Sequence, residues 1–369
     1  MKAKIEHFNF PAGKRILCIS DIHGNLPYLQ GLLDKAGFSS DDELVIVGDL
    51  LEKGPDSLAT LRFVMTLYER GNVHVLSGNC DDWHDVIDDH SLALAEGLRN
   101  YLAIRPGGLI GQMCAAVGFS ITPPVDVDAL REAIGEPFRK EFDVLRSLPT
   151  VIETPHYTFV HGGLPEGDPE NWTAWNCMKY DNFMGCGRSF DKWVICGHWP
   201  VMLYHEDTVE ANPVFDYDKK IISIDGGCVL KDDGQLNALV IPYDGSEDFS
   251  HMAYDPFPKA TVLQAQQASQ RSWYIRWGDA KVRVLERGEE FCRCRHLRTG
   301  YEMDILTKYV YGDGEECSVN DCTDYVLPLS PGDEVSVVEI SSRGYFVKHR
   351  GVSGWYRGPL KWSTRANRA

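Results

Sequence analysis

The chain has 369 residues and carries 54 acidic against 37 basic side chains, which gives a formal net charge of −17 at neutral pH. This length exceeds one ordinary hydrophobic core, so we expect more than one domain. A composition of 43% hydrophobic and 25% charged residues excludes a disordered or collagen-like chain. The acidic balance argues against nucleic acid as a partner.

The same composition predicts a cytoplasmic protein without a membrane partner. No apolar run approaches the roughly 20 residues that a bilayer span requires. Residues 1–10 alternate charged and apolar side chains and do not resemble a signal peptide. The chain has eleven cysteines, an odd number, and no two of them are spaced Cys-x-x-Cys. This favours free thiols in a reducing compartment.

The first 80 residues alternate short apolar strands with amphipathic helices, the pattern of a parallel βαβ layer. The strands are nearly uninterrupted apolar runs, as expected when both faces of a sheet are buried. We predict strands at Arg15–Ile19, Leu44–Val47 and Val73–Leu76, and helices at Leu26–Ala36 and Leu58–Glu69.

A long helical pattern follows at 82–148, and we predict an insertion there that covers one edge of the sheet. Strands resume at Tyr157–Val160, Trp193–Cys196, Ile221–Ile224 and Leu236–Ile241. A polar segment at 244–258, continued by a Gln-rich stretch to residue 270, predicts a domain boundary. We therefore expect a first domain at 1–260 and an all-β domain at 271–369.

The C-terminal region contains short alternating strands separated by turn residues, which is typical of a small antiparallel barrel or sandwich. The predicted strands are Val282–Leu285, Glu334–Val338 and Tyr345–Lys348. The segments 282–286 and 335–339 echo each other, and both an internal repeat and ordinary strand alternation explain the echo.

Polar clusters follow five of the predicted strands. In an α/β sheet the loops at the carboxyl ends of strands converge on one crevice, so these side chains are expected to meet. Taken singly, each residue has an ordinary explanation as a helix cap, a turn residue or a buried histidine. Their mixed oxygen and nitrogen donors suit Mn, Fe or Zn better than Ca. The candidate ligands are Asp21, His23, Asp49, Asn79, His161 and His198.

The order and spacing of these clusters resemble the calcineurin-like metallophosphoesterases. The likeness is closest to the branch of phosphoprotein phosphatases and symmetrical diadenosine tetraphosphatases. It covers about residues 14–242. The motifs that carry it are Asp21-x-His23-Gly24, Gly48-Asp49-x-x-Glu52-Lys53-Gly54, Gly78-Asn79, His161-Gly162-Gly163 and Gly197-His198, followed by Ile224-Asp225-Gly226-Gly227.

The resemblance implies an α/β four-layer sandwich that binds two divalent ions, with Mn as the first expectation and Fe or Zn as alternatives. Asp21, His23 and Asp49 would hold the first ion. Asp49 would also bridge to the second, which Asn79, His161 and His198 would complete. A metal-bridging hydroxide would then hydrolyse the substrate.

The chain departs from the family pattern at the positions expected to carry catalysis. Lys53 stands where the family has a phosphate-gripping Arg, and the preceding Glu52 replaces an Asp. Cys80 stands in the place of the general-acid His, whose Asp partner corresponds to Asp81. A thiol is a poor replacement for imidazole around neutral pH. His84 is either a substitute that reaches the site or a solvated helix residue.

A second substrate-gripping Arg is expected after the His-Gly-Gly motif, in a Trp-x-Arg context. The corresponding segment, 175–177, reads Trp-Asn-Cys and carries no Arg. Lys179 and Arg188 are the alternatives.

Residues 331–358 resemble the second half of a bacterial SH3-like domain. That resemblance implies a peptide partner or an intramolecular partner for this region. The alternative assigns Trp355 and Tyr356 to the core of a small barrel.

The expected activity is therefore hydrolysis of phosphate monoesters, with a phosphoprotein or a small phosphate ester as the phosphorylated substrate. Two alternatives stay open within the enzyme class, namely dinucleoside polyphosphates and phosphodiesters. A third is a catalytically weakened scaffold that recognises phosphorylated partners, motivated by the changes at Lys53 and Cys80.

Overall fold

The computed structural model describes residues 1–363, which form two compact units. The first unit contains 1–200, 213–230 and 235–254, and the second contains 201–212, 231–234 and 255–363. The predicted division near residues 260–271 does not include the two short crossings at 201–212 and 231–234.

The first unit alternates strands and helices along the chain. None of the helices within residues 1–363 is long and apolar enough to cross a membrane. Its strands are β1 (Ile5–His7), β2 (Arg15–Ile19), β3 (Asp42–Val47), β4 (Val73–Leu76), β5 (Val151–Glu153), β6 (Tyr157–Val160), β7 (Trp193–Cys196), β9 (Val214–Asp216), β10 (Ile221–Ser223), β11 (Leu236–Ile241) and β12 (Ser250–Tyr254), with β8 (Val209–Glu210) belonging to the second unit. Its helices are α1 (Leu26–Ala36), α2 (Ser57–Tyr68), α3 (Asp85–Asp88), α4 (Leu92–Ile104), α5 (Leu109–Ala116), α6 (Val127–Gly135), α7 (Arg139–Ser147) and α8 (Ala174–Met178).

Two mixed sheets build the first unit. One has the strand order β12-β11-β2-β3-β4 and the other β1-β5-β6-β7-β10-β9. The pairs β2–β3, β3–β4, β6–β7 and β7–β10 are parallel, so their carboxyl ends point to the same edge within each sheet. This arrangement confirms the predicted α/β class.

Alternate residues of the central strands enter different cores. In β2, Ile16 and Cys18 pack into the core between the two sheets, while Leu17 and Ile19 pack toward the helices. Successive side chains of a strand point to opposite faces, which explains why these strands are apolar without interruption.

Helix α1 shows how local sequence sets the element boundaries. A proline in its first turn has the fixed φ that a helix start requires, and Gly37 ends it with a left-handed φ of 58°. Leu29, Leu32 and Leu33 lie on its buried face at helical spacing. The observed range equals the predicted one.

Other elements escaped the sequence patterns. The three-residue strands β1 and β5 pair in parallel with each other, and so few residues show no periodicity. Strand β12 and the following β13 (Lys259–Val262) lie within the segment interpreted as a boundary. Their pairing partners are distant in sequence, so tertiary contacts define them.

The second unit is built mainly of β-strands, consistent with an SH3-like domain. One sheet runs β24-β13-β21-β22-β23-β8 and another β17-β16-β15-β19-β18, with a β14–β20 pair beside them. The remaining strands are β14 (Tyr274–Ile275), β15 (Lys281–Arg287), β16 (Phe291–His296), β17 (Glu302–Leu306), β18 (Val310–Tyr311), β19 (Glu316–Val319), β20 (Cys322–Thr323), β21 (Glu334–Ser341), β22 (Gly344–His349), β23 (Val352–Tyr356) and β24 (Leu360–Trp362).

The two larger sheets of this unit have separate apolar cores, and the echoed segments occupy matching places in them. Strand β15 shifts register between Val284 and Glu286, and β21 shifts between Val337 and Glu339. These positions correspond within the echoed sequences. The shared irregularity supports the repeat interpretation, because β-bulges are specific features of a strand rather than defects.

We expect Asp42→Asn to lower the free energy of unfolding by about 1–3 kcal/mol, because Asp42 accepts two charge-assisted hydrogen bonds from Arg15, at 2.8 and 2.9 Å. Burial opposes ionisation of Asp42, but bonds from Arg15 and Ser39 hold its pKa below the usual range. Its contribution is therefore present at neutral pH and lost as the pH falls through that lowered pKa.

Chemical denaturation of the wild type and Asp42→Asn between pH 7 and pH 3 tests this prediction. The difference between the two proteins should shrink on acidification. Asp41→Asn, an exposed neighbour, serves as the control. A difference that persists unchanged at pH 3 would contradict the assignment to the ionised pair.

Candidate metal centre

Loops at the carboxyl ends of the parallel strands carry the predicted ligands. The loop after β2 holds Asp21 and His23, the loop after β3 holds Asp49, and the loop after β4 holds Asn79. In the other sheet, His161 follows β6 directly, and the loop after β7 supplies the sixth residue, His198. The fold thus gathers residues that are up to 177 positions apart.

The ligand loops have an unusual backbone. Asp21, His23, Asp49 and His198 have positive φ values of 56°, 51°, 51° and 67°. Side-chain-bearing residues rarely adopt this region, and such strain collects at functional sites, where surrounding contacts hold it. The hydrogen bond from the backbone N–H of His198 to Asp21 Oδ2, at 2.9 Å, is one of these contacts.

Two glycines allow the loops to approach one another. A Cβ on Gly78 would lie 2.2 Å from both the backbone nitrogen and Oδ1 of Asp49. A Cβ on Gly197 would lie 2.3 Å from Asp21 Oδ2. Any larger residue at these positions would push the ligand loops apart.

Asp49 lies between two histidines. Its Oδ1 is 3.2 Å from His161 Nε2, and its Oδ2 is 3.8 Å from His23 Nε2. The same His23 nitrogen is 3.8 Å from Asp21 Oδ1. Donor atoms of Asp49, His161 and His198 all lie within 4.8 Å of one another. Asp49 therefore has the position of a carboxylate shared by two ions.

The ring nitrogens of the buried histidines are oriented by the backbone. His23 Nδ1 lies 3.3 Å from the carbonyl oxygen of Leu51, and His161 Nδ1 lies 2.9 Å from that of Val47. A carbonyl accepts, so Nδ1 donates to it and Nε2 faces the cluster. This is the usual arrangement of a metal-ligating histidine.

Several buried polar atoms of the cluster have no hydrogen-bond partner among residues 1–363. They are Asp21 Oδ1, His23 Nε2, Asn79 Oδ1 and His161 Nε2. Buried polar atoms are normally paired, and leaving one unpaired costs free energy. All four are good metal donors, and the two histidine nitrogens both lie beside Asp49, so this residue set fits a pair of divalent ions.

The electrostatics of the cluster favour a cation. Burial and the nearby carboxylate of Asp49 raise the pKa of Asp81 well above its usual value, and burial and Asp21 do the same for Asp225. Burial opposes protonation of His161, but the carboxylates of Asp49 and Asp21 outweigh it and raise its pKa to about 10. Positive charge placed among these carboxylates would relieve their repulsion.

Cys80 and Asp81, two candidate catalytic residues, differ in their contacts: Cys80 lies at the cluster, whereas Asp81 bonds to the backbone of the ligand loops. The backbone N–H of Cys80 donates to Asp49 Oδ1 at 2.8 Å, and its sulfur lies within 4.8 Å of donor atoms of His23 and Asp49. Asp81 is buried and accepts the backbone N–H groups of Gly78 and Leu50 at 2.8 and 3.0 Å. Asp81 thus ties two ligand loops together.

Lys53 is exposed and lies at the edge of the cluster. Burial is the largest cause of the lowered pKa of His23, and the ammonium group of Lys53 reinforces it against the carboxylates of Asp49 and Asp21. An exposed cation this close to the ligands is suitably placed to meet an anionic substrate.

Glu52 and His84 contact the helices of the insertion. Glu52 is buried, and its Oε1 accepts the backbone N–H of Leu109, the first residue of α5, at 2.8 Å. A carboxylate at a helix N-terminus stabilises that helix. His84 is buried beside α3, with its Nε2 3.6 Å from Asp85 Oδ1. The structure groups neither residue with the metal ligands, and their catalytic roles stay predictions.

Lys179 and Arg188, the two alternatives for the second substrate-gripping Arg, lie in different positions. Lys179 Nζ lies 3.1 Å from His198 Nε2 and 2.8 Å from Asp181 Oδ1, at the cluster. Arg188 instead donates to the backbone oxygens of Pro165 and Leu164. Lys179 therefore lies beside the candidate ligand His198, whereas Arg188 fastens a loop; a substrate-binding role for Lys179 stays a prediction.

The chain matches the calcineurin-like phosphoesterase family over residues 14–221, more than half of its length. The chain belongs to this family. The predicted family is thereby confirmed; calcineurin-like phosphoesterases use a dinuclear centre of divalent ions, and this chain offers two candidate ligand groups, His23 with Asp49 and Cys80, and Asp49 with His161 and His198.

Curated relatives include symmetrical bis(5′-nucleosyl)-tetraphosphatases. The protein from Glaesserella parasuis is 34% identical over 154 residues, which cover 41% of this chain and 45% of the relative. The one from Cellvibrio japonicus is 46% identical over 82 residues, covering 22% and 27%. The matched regions thus span less than half of these relatives.

Among solved structures, a protein serine/threonine phosphatase from Saccharomyces cerevisiae is similar to 69% of this chain and 83% of its own. The TM-score is 0.44 and the sequence identity is 12%.

Sequence analysis assigned no role to two residues of this calcineurin-like site, although one of them, Asp225, lies within a family motif. Asp225 follows β10, is fully buried, and has an unpartnered Oδ2, while its Oδ1 accepts the N–H of Gly227 at 2.8 Å. Its position after an apolar strand and before two glycines was the available signal. Asp181 lies 2.9 Å from His198 Nε2, and no sequence pattern marks it.

We expect the wild-type protein to bind two divalent ions per chain and Asp49→Asn to bind fewer, because the shared carboxylate loses its charge. Metal analysis after exhaustive dialysis against Mn²⁺ measures the stoichiometry, and calorimetry gives the affinity. Asp34→Asn, on the exposed side of α1, is the matched control. Unchanged stoichiometry and affinity in Asp49→Asn would contradict a bridging role.

Proposed function

We propose that this chain is a metal-dependent phosphoric ester hydrolase that acts on phosphate monoesters of a phosphoprotein or a small molecule. The observation that supports the proposal most directly is the position of Asp49 between His23 and His161, with buried donor atoms around it that lack partners.

Each residue of the cluster has a definable task in this proposal. Asp21, His23 and Asp49 would hold one ion, and Asp49, Asn79, His161 and His198 the other. Divalent ions in such a site activate water and draw charge from phosphoryl oxygens. Mn²⁺ is our first expectation for both sites, with Fe or Zn as alternatives.

The chain itself would orient the substrate. Lys53 and Lys179 are cations at the cluster and would attract the phosphoryl group and stabilise the charge that develops on its oxygens. Unlike an Arg, a Lys offers no planar fork for two oxygens at once. We therefore expect weaker orientation of the phosphate than an Arg pair would give.

Protonation of the leaving group is the step that we expect this site to catalyse least well. Cys80 occupies the place where the family has a histidine, and a thiol transfers a proton to an alkoxide poorly near neutral pH. Leaving groups that are stable anions, such as aryl oxides or phosphates, need little help from an acid. Substrates of that kind should therefore react fastest.

Dinucleoside polyphosphates are the second candidate substrate. Curated relatives with 34% identity are named as symmetrical tetraphosphatases of that class, although the matched region is less than half of each. A phosphoanhydride also has the stable leaving group that the Cys80 site requires. Phosphodiesters remain the third alternative.

The cellular location of the protein and the partner of its SH3-like region are also proposals. All eleven cysteines lie among the described residues and are free thiols, which supports a cytoplasmic location. The SH3-like region would bind a peptide or another part of the protein. Tyr356 is fully buried and Trp355 partly so, which supports core packing as the main role of these aromatics.

We expect metal-stripped protein resupplied with Mn²⁺ to hydrolyse p-nitrophenyl phosphate, with the rate falling at least 100-fold in Asp49→Asn. Absorbance at the phenolate band measures turnover, and bis-p-nitrophenyl phosphate tests the diester alternative. A diester preference would move the proposal to phosphodiesterases. Absence of turnover on both esters with two bound ions would favour the non-catalytic scaffold.

We expect Cys80→His to speed hydrolysis of alkyl phosphates at least tenfold and to change aryl phosphates little, because only the alkoxide needs a proton. Steady-state rates on glycerol phosphate and p-nitrophenyl phosphate measure the split. Cys80→Ser is the control, since it changes the sulfur without supplying an acid near neutral pH. An equal effect on both esters would show that acid catalysis lies elsewhere.

A further inference from the structure

A pocket lies beside the metal ligands. It has a volume of about 380 Å³, in the range of small-molecule sites. Asn79 and Cys80, which belong to the third ligand loop, line it together with residues of α4. A group bound there would be adjacent to a phosphate held at the metal centre.

The walls of the pocket are mostly apolar and partly aromatic. Trp83 and Tyr101 have ring centroids 4.8 Å apart with planes inclined by 56°. Leu94 and Leu98 extend the apolar wall along α4. The arrangement offers a surface on which a planar ring can stack.

The charged side chains that line the pocket are all acidic. Asp82 and Asp85 line it, and none of its lining residues is a Lys or Arg. Carboxylates repel a second phosphate and accept hydrogen bonds from amino groups. The pocket therefore suits an uncharged planar group that bears N–H donors.

A glycine keeps this pocket open. Gly97 lies in the interior of α4, where glycine is less favourable than any other residue except proline. A Cβ at this position would meet no atom within 4 Å, so packing does not require the glycine. The missing side chain leaves room in the wall of the pocket.

We propose that this pocket is the specificity site for the leaving group, and that it binds a nucleobase with an exocyclic amine. The base would stack on the aromatic wall while its amine donates to Asp82 or Asp85. This inference rests on the proposed hydrolase function and narrows its substrates to nucleotides. Gly97 is then a specificity-determining residue.

The test compares two phosphates with the same primary ester and leaving oxygen, AMP and ribose 5-phosphate, in the Mn²⁺-loaded full chain. We expect wild-type kcat/KM to favour AMP at least tenfold, since base stacking is a binding term of that order. Gly97→Leu should reduce the ratio to about one. Ala103→Leu places the same side chain on α4 outside the pocket and should keep the ratio.

A binding measurement separates the pocket from the catalysis. Calorimetry with adenosine, which carries no phosphate, should show saturable binding that Gly97→Leu weakens at least tenfold and Ala103→Leu preserves. Thermal unfolding of both variants confirms folding, and Trp83→Leu offers a second change in the same wall.

The outcomes are distinguishable. Adenosine binding that is absent, or equal in the wild type and Gly97→Leu, would overturn the pocket whatever the enzyme hydrolyses. Equal rates for AMP and ribose 5-phosphate would also overturn it. Loss of turnover on every phosphate, with pocket-dependent adenosine binding intact, would overturn the hydrolase proposal alone.

Discussion

The structure of the first unit depends on keeping several carboxylates together inside the protein. Asp21, Asp49, Asp81 and Asp225 are all almost completely buried at one edge of the paired sheets. Buried like charges repel strongly, and an isolated buried carboxylate is expensive. These carboxylates differ in how their oxygens are satisfied. Asp81 is satisfied by loop N–H groups, whereas the unpartnered oxygens of Asp21 and Asp225 leave a demand that cations would meet.

A requirement for cations among these carboxylates explains several local features that by themselves lower the stability of the fold. The left-handed ligand residues and the glycines at 78 and 197 cost conformational free energy, and the orphaned histidine nitrogens cost more. The large apolar cores on both faces of the β2–β3 layer supply the stability that permits them. Strain and unpaired atoms thus coincide at the edge where the parallel strands end, and the rest of the fold holds them in place.

Sequence patterns gave good predictions where one residue's role is local. The apolar alternation of β2 and the proline and glycine at the ends of α1 define those elements without tertiary information. The six candidate ligands were identifiable because strand ends and glycines mark them, and their ligand role stays a prediction. Asp181 and the crossings at 201–212 were not predictable, since distant pairing places them. Glu52 lies in a catalytic motif yet contacts a helix N-terminus in the insertion, a relation that no short motif contains.

The insertion connects these observations to selectivity. Helices α3 to α7 follow directly after the third ligand loop, so the same turn that positions Asn79 and Cys80 also begins the wall of the pocket. In the proposed hydrolase, two lysines in place of paired arginines would hold the phosphate with less directional bonding. A substrate must then be oriented by its other end. An aromatic, carboxylate-bearing pocket beside the ions would provide that orientation through stacking and amine hydrogen bonds.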